Sequence, residues 1–545
     1  MVRWLAGALF AARLLAQSGC ESAVEWSPCE LTFDLQSGEN PEAARLEVEF
    51  RSPRHTTYKI AAFHDNEHQL TVRFSPTEPG TWMYRITSNL ARLDGRESSL
   101  VAAESDSPGF VQAANLHHFQ TRANNKPHLW MAAAIDHFTA MPRAEFDAKV
   151  SELVQSKFTH ARVTIEKDAD LREAADRVKA ITARDLVADL VLAAIPADRQ
   201  ARESYIGDLV ARFGAMNITW MGVPSFENME HAKSVLKDAG ALIKTLDTYE
   251  HPRTTMAEIT SAPLAGDDWM TLIDYGTPDA NVGAVEHQLY QIPAINSGIR
   301  NANDLWNATM NGQYPASGSG EYMTAWFDFM SGNRYWELEP YFDVDGGRAI
   351  ALEGVEYIVY VEKPGPVEVT VAKHGYDVAW INPLTGERIK DKKGYSGEHF
   401  TGEPPDASHP WVLHISRERT KEGMLKSYKF ESREAPVQEI ERDDSKIPFE
   451  IASPGDEAIS ISKPPAYSLK VKRESRATRS LLVEWTGEVP TDGEGERVIG
   501  TGREGTLRIP HSIANHYPAV MSVRVALLNA YGKAYVIDKV YRLVQ

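Results

Sequence analysis

His160-Ala161-Arg162-Val163-Thr164-Ile165, then a helical stretch from Leu171 to Thr182, then Leu186-Val187-Ala188-Asp189-Leu190-Val191-Leu192: this succession decides the fold. Two largely apolar runs of strand length flank a segment whose apolar residues recur at helical spacing. That is how a parallel sheet with crossover helices is written in a sequence. The same rhythm extends in both directions. Strands are expected at Leu129 to Ile135, Ile218 to Val223, Arg253 to Met256, Leu272 to Tyr275 and Ala294 to Asn296. Helices are expected at Arg143 to Ser156, Arg202 to Phe213 and Glu230 to Leu246. Seven strands alternating with helices over about 220 residues predict a (β/α)8 TIM barrel rather than an open doubly wound sheet. No G-x-G-x-x-G follows the first strand, so a dinucleotide-binding fold is set aside.

Outside this segment the pattern has a period of two. Leu46-Glu47-Val48-Glu49-Phe50 and Leu70-Thr71-Val72-Arg73-Phe74 alternate, with Pro and Gly between strands, and predict an N-terminal β-sandwich over 21–115. The barrel is placed at 116–342. Tyr357-Ile358-Val359-Tyr360-Val361 and Val367-Glu368-Val369-Thr370-Val371 predict a small antiparallel β-domain over 343–417. A charged, turn-rich linker is expected over 418–456, followed by an immunoglobulin-like or fibronectin-like sandwich over 457–545.

With 545 residues the chain exceeds what one core usually organises, which agrees with several domains. A formal net charge of -18, with no basic run interleaved with aromatics, argues against nucleic acid as a partner. Residues 1–20 read as a signal segment: Arg3, an apolar run from Trp4 to Ala12, and small residues from Ala16 to Gly19, interrupted by Arg13. The apolar run is too short to span a bilayer, so the expectation is an exported protein, periplasmic or extracellular, without a transmembrane segment. Two cysteines, Cys20 and Cys29, allow a single bridge and no cysteine metal site. Cys20 is also weighed as a lipid-attachment site, against which Gln17 stands where a lipobox has Leu.

Four runs carry a family resemblance: Ser156 to Arg162, Tyr205 to Trp220, Val285 to Tyr290 and Trp336 to Asp343. Over about Val24 to Ser416 the chain resembles the apiosidase-like glycoside hydrolases, a (β/α)8 barrel between an N-terminal sandwich and a collagen-binding-like β-domain. The resemblance implies a general acid/base glutamate at the end of the fourth strand and a nucleophilic glutamate near the seventh. It places Ser225 at the first position and Gly298 at the second. A serine hydroxyl titrates too high to protonate a leaving oxygen, which forfeits about 10² to 10⁴ in rate, and glycine supplies no nucleophile. The segment between Arg300 and Trp306 is also short for the family.

The expected function is therefore a glycoside-hydrolase-like protein that acts on or binds polysaccharide side chains, with degenerate carboxylates. Whether it is still an enzyme is left open, and the alternative is a non-catalytic adhesion or scaffold protein. Glu227 is the candidate catalytic carboxylate, with Glu166, Asp136 or Asp274 as its partner, although a carboxylate at Glu227 also suits a helix N-terminus. The substrate-binding candidates are Trp130, Asp136, Trp220, Ser225 and Asn296. Trp130, Trp220, Trp306 and Trp336 are read either as stacking platforms for sugar rings or as core residues. His117, His118, His137, His160, His251 and His287 match no ligand motif, so neither a metal nor any other cofactor is expected.

Overall fold

A computed structural model describes residues 17–18, 20–66, 68–391, 393–417, 440–455, 458–514 and 519–545. Most of the expected signal segment and of the expected linker lies outside the described residues. The chain forms two compact units, one of residues up to Ser107 with Ser204–Met216 and Thr245–Tyr249, the other of the remainder.

In the first unit the alternating sequence does what its period demands. Leu46, Val48 and Phe50 are buried while Glu47, Glu49 and Arg51 face water. Two sheets result, antiparallel but for the pairing of Ala23–Val24 with Glu97–Ala103. Phe50 from one and Phe74 from the other stack with ring centroids 3.9 Å apart, and Trp82 meets Phe74 edge-on at 5.0 Å. Burial of each such ring is worth about 1.5–3 kcal/mol. Cys20 and Cys29 form a disulfide, so the Cys20 sulfur is not free for lipid attachment.

In the second unit the parallel strands follow one another in chain order. Ala132–Ala134, His160–Ile165, Val187–Leu192 and Ile218–Trp220 make one parallel sheet, and Trp220 continues by a parallel bridge to Arg253. The Arg253 carbonyl accepts a hydrogen bond from Thr271 N–H, and Ile273–Tyr275, Ala294–Asn296 and Tyr314–Pro315 complete the series. Helices Arg143–Gln155, Leu171–Thr182 and Ala232–Leu246 lie between them near the expected bounds, and Arg199–Phe213 starts three residues early. Every residue of Val187–Leu192 and Ile218–Trp220 is buried, as strands covered on both faces require. Sequential parallel neighbours distinguish this arrangement from a doubly wound sheet, whose strand order reverses part-way. The eighth strand was not foreseen, because two residues ending in Pro315 carry no periodic signal.

Antiparallel strands follow from Glu339–Tyr341 to Trp411–Ser416, and the chain ends in two facing sheets whose core holds Tyr467, Trp485 and Tyr541. Phe449–Ser453, inside the stretch expected as linker, is a strand paired with Ala466–Val471. Helix Ala280–Leu289 places Ala284 and Val285 against Ala526, Leu528, Ala534 and Val536 of the C-terminal sheets.

Candidate functional site at the strand ends

The C-terminal ends of the parallel strands are where a fold of this kind carries its chemistry. Midway along the second and third strands, below those ends, the structure sets Arg162 among carboxylates. Arg162, on the second strand, is 8 % exposed; Asp274, Asp189 and Asp136 supply the negative charge around it. Burial lowers the pKa of its guanidinium, and Nε and Nη2 have no hydrogen-bond partner among the described residues.

Asp274, on the sixth strand, is fully buried. Ser297 Oγ donates to its Oδ1 at 2.5 Å and the Ala257 N–H to its Oδ2 at 3.0 Å. Burial pushes its pKa up to about 6, against the opposing pull of Ser297, Arg162 and the Ala257 amide. Glu227 is engaged differently. Its carboxylate accepts from the Glu258 N–H at 2.8 and 3.0 Å and from the Ile259 N–H at 3.0 Å. Burial raises its pKa and these amides lower it. The cavity beside it, lined by Glu227, Asn228 and Glu258, measures about 60 Å³. That is far below the roughly 300–1,000 Å³ of ligand sites.

At the two positions the family resemblance marks, no carboxyl stands. Ser225 is half-buried with φ 46°, a left-handed conformation uncommon outside glycine. Gly298 sits so close to the neighbouring loop that a Cβ there would lie 2.1 Å from the Gly276 carbonyl oxygen. No larger residue fits that backbone.

Several expectations are corrected. Trp130 is 0 % exposed, stacked on His160 at 3.6 Å with Phe119 at 4.8 Å, and Trp220 is 1 % exposed. Trp306 and Trp336 are buried as well. All four are core residues, because an indole covered on its faces offers nothing to a sugar ring. Asn296 is fully buried and its amide is consumed: Nδ2 donates to Thr277 O and Gln313 Oε1, both at 2.8 Å, while Oδ1 accepts from Gly298 N–H. The bond from Gly298 ties it to the loop after the seventh strand. Asp136 and Glu166 are exposed after the first and second strands.

Arg162 and Ser297 were missed. The available signal was a charged residue inside an otherwise apolar strand, at the same face as His160 and Thr164. A larger cavity of about 620 Å³ borders the ends of the first and eighth strands, lined among others by Ala134, Arg300, Ser317, Ser319 and Glu321. Its volume lies within the range of ligand sites.

Residues 22–89 match the family model described as a domain of unknown function, DUF5060. No curated protein matches in sequence. Among solved structures, one of a protein of Bacteroides vulgatus ATCC 8482, provisionally described as a glycoside hydrolase, is similar at 15% identity. The likeness covers 73% of this chain and 99% of that one with a TM-score of 0.61. A family 5 glycoside hydrolase of the same organism aligns at 12% identity over 59% of this chain and 96% of that one, with a TM-score of 0.48. The fold of this chain is glycoside-hydrolase-like. Among the described residues no helix is long and apolar enough to cross a membrane.

Proposed function

We propose that this protein is an exported carbohydrate-binding member of the glycoside-hydrolase-like barrels, of apiosidase-like type, whose (β/α)8 strand ends hold a saccharide without cleaving it by the two-glutamate route. One observation carries the reading: at Gly298, where the nucleophile is expected, the Gly276 carbonyl occupies the place of a side chain. A retaining mechanism needs two carboxyls about 5 Å apart, one to protonate the leaving oxygen and one to attack. Glu227 spends both oxygens on backbone amides, and Asp274 is sealed under Ser297. In this reading these bonds give both carboxylates a structural rather than a catalytic role.

The 620 Å³ cavity is the saccharide site in this reading, with Arg300, Ser317 and Ser319 as donors to sugar hydroxyls. Export agrees with the Cys20–Cys29 disulfide, since such bonds persist in oxidising compartments. The test is calorimetry and turnover run side by side on pectic and other polysaccharide side-chain oligosaccharides. Binding that weakens in Arg300→Ala, with no turnover, is the expected result. Turnover that disappears in Glu227→Gln, Asp274→Asn or Glu321→Gln would establish an enzyme and overturn the reading. Silence across the panel would favour an adhesion or scaffold role instead.

A further inference from the structure

Away from the strand ends, three elements far apart in sequence bring their imidazoles and a carboxylate to one point. His117 precedes strand His118–Thr121, His287 lies on helix Ala280–Leu289, and Glu339 opens strand Glu339–Tyr341. One ligand atom from each falls within 4.8 Å of the others. His287 Nε2 is 2.6 Å and His117 Nδ1 3.1 Å from the same oxygen, Glu339 Oε2. His118 Nε2 stands 3.4 Å from Glu339 Oε1, while its Nδ1 is 2.7 Å from the Tyr314 hydroxyl.

The donor count at His117 is the informative part. Its Nε2 lies 3.0 Å from the Tyr290 carbonyl oxygen, which can only accept, so Nε2 carries the hydrogen. In a neutral ring Nδ1 is then a lone pair, and it points at a carboxylate that also only accepts. Two acceptors facing each other require a proton, on His117 or on Glu339, or a metal cation between them. An imidazole fixed by a backbone carbonyl through its far nitrogen is the usual arrangement around metal-bound histidine, because that bond sets the tautomer and the ring orientation. Both rings are buried, and the Glu339 side chain is 43 % exposed.

We propose that His117, His287 and Glu339, with His118 as fourth donor, form a structural site for a divalent transition-metal cation, Zn²⁺ by the chemistry of its ligands. The ion would join the segment entering the parallel strands, the helix before the seventh strand and the first strand of the antiparallel domain. Motif reading missed it because the donors are not on one helix. The spacing that matters here is spatial: His117 and His287 are 170 positions apart in the chain and Glu339 a further 52.

The full-length chain, stripped with EDTA, is to be titrated with Co²⁺ and then Zn²⁺. One equivalent of Co²⁺ should bind with visible d–d bands, be displaced by Zn²⁺, and raise Tm as binding to the folded state requires. X-ray absorption of the Zn²⁺ form should show imidazole nitrogens and one carboxylate oxygen near 2 Å, as in protein zinc sites. Glu339→Gln and His287→Gln should weaken uptake by more than the roughly 10–100-fold typical of outer-shell changes. No stoichiometric uptake by the wild-type chain, an all-oxygen shell, or an unchanged spectrum in folded variants would overturn the proposal and leave a proton on His117 or Glu339 as the resolution. The wild-type measurements decide even where a variant fails to fold.

Discussion

Glu286, on the helix before the seventh strand, and Glu484, in the C-terminal sheets, are buried carboxyls, 1 % and 4 % exposed, and the charge of Glu286 raises the pKa of Glu484. Two buried carboxyls that feel each other's charge disfavour joint ionisation. Burial pushes Glu286 up to about 7 and, with the charge of Glu286, Glu484 well above its ordinary value. Groups raised in the folded state stabilise it most when protonated. Their contribution is fully present below the unfolded value near 4.5 and is lost as pH rises through the folded value of about 7. Tm should therefore fall between pH 5 and pH 8, and Glu484→Gln should flatten that slope. A Tm that rises over this range in the wild-type chain would contradict the pairing.

Restoring the expected nucleophile should not restore chemistry. Gly298→Glu drives a Cβ into the Gly276 carbonyl, and overpacking of this kind costs about 1–3 kcal/mol or more. Urea unfolding should show the loss, and glycosidase assays on the purified variant should stay at background.

Glu227→Gln removes a charged acceptor from two backbone amides. Hydrogen bonds to charged groups contribute about 1.5–3 kcal/mol each, and the amide can replace only one acceptor. Stability should drop by about 1–3 kcal/mol in chemical denaturation while saccharide binding persists.

Asp274→Ala leaves the Ala257 N–H without its acceptor and removes a compensating charge from beside Arg162. Breaking a buried charged group out of its network typically costs about 3–5 kcal/mol. Asp274→Asn should cost less, because it still accepts from Ser297 or Ala257. Equal losses in the two variants would place the whole effect in the lost charge and none in the hydrogen bonds.

Trp130→Ala empties a fully buried site against His160 and Phe119. A loss of about 3–5 kcal/mol is expected from such a truncation. Where the variant is folded at low temperature, its saccharide affinity should match wild type, since the indole is 0 % exposed.

Much of the fold was legible because periodicity is local. Strand His160–Ile165 and helix Leu171–Thr182 fall on the residues their patterns indicated, and Asp170 caps that helix by accepting from the Arg172 and Glu173 N–H groups. The two-residue strand Tyr314–Pro315 was not legible, nor was Phe449–Ser453 within a charged stretch, because neither stands out from its surroundings by composition. At the strand ends, the absence of carboxyls at Ser225 and Gly298 could be read directly. The fate of the remaining polar residues could not.

What the sequence alone determined is the order of strands and helices and the types of side chain delivered to each strand end, since apolar spacing within a dozen residues specifies which face is buried. Only the tertiary structure decided that Trp130 is covered by His160, that Glu227 is taken up by the amides of Glu258 and Ile259, and that His117, His287 and Glu339 meet. Each of those facts is a contact between separate segments. Its energy depends on distances that chain order does not encode, so the same residue type can line a cleft, cap a loop or bind an ion according to what the fold sets beside it.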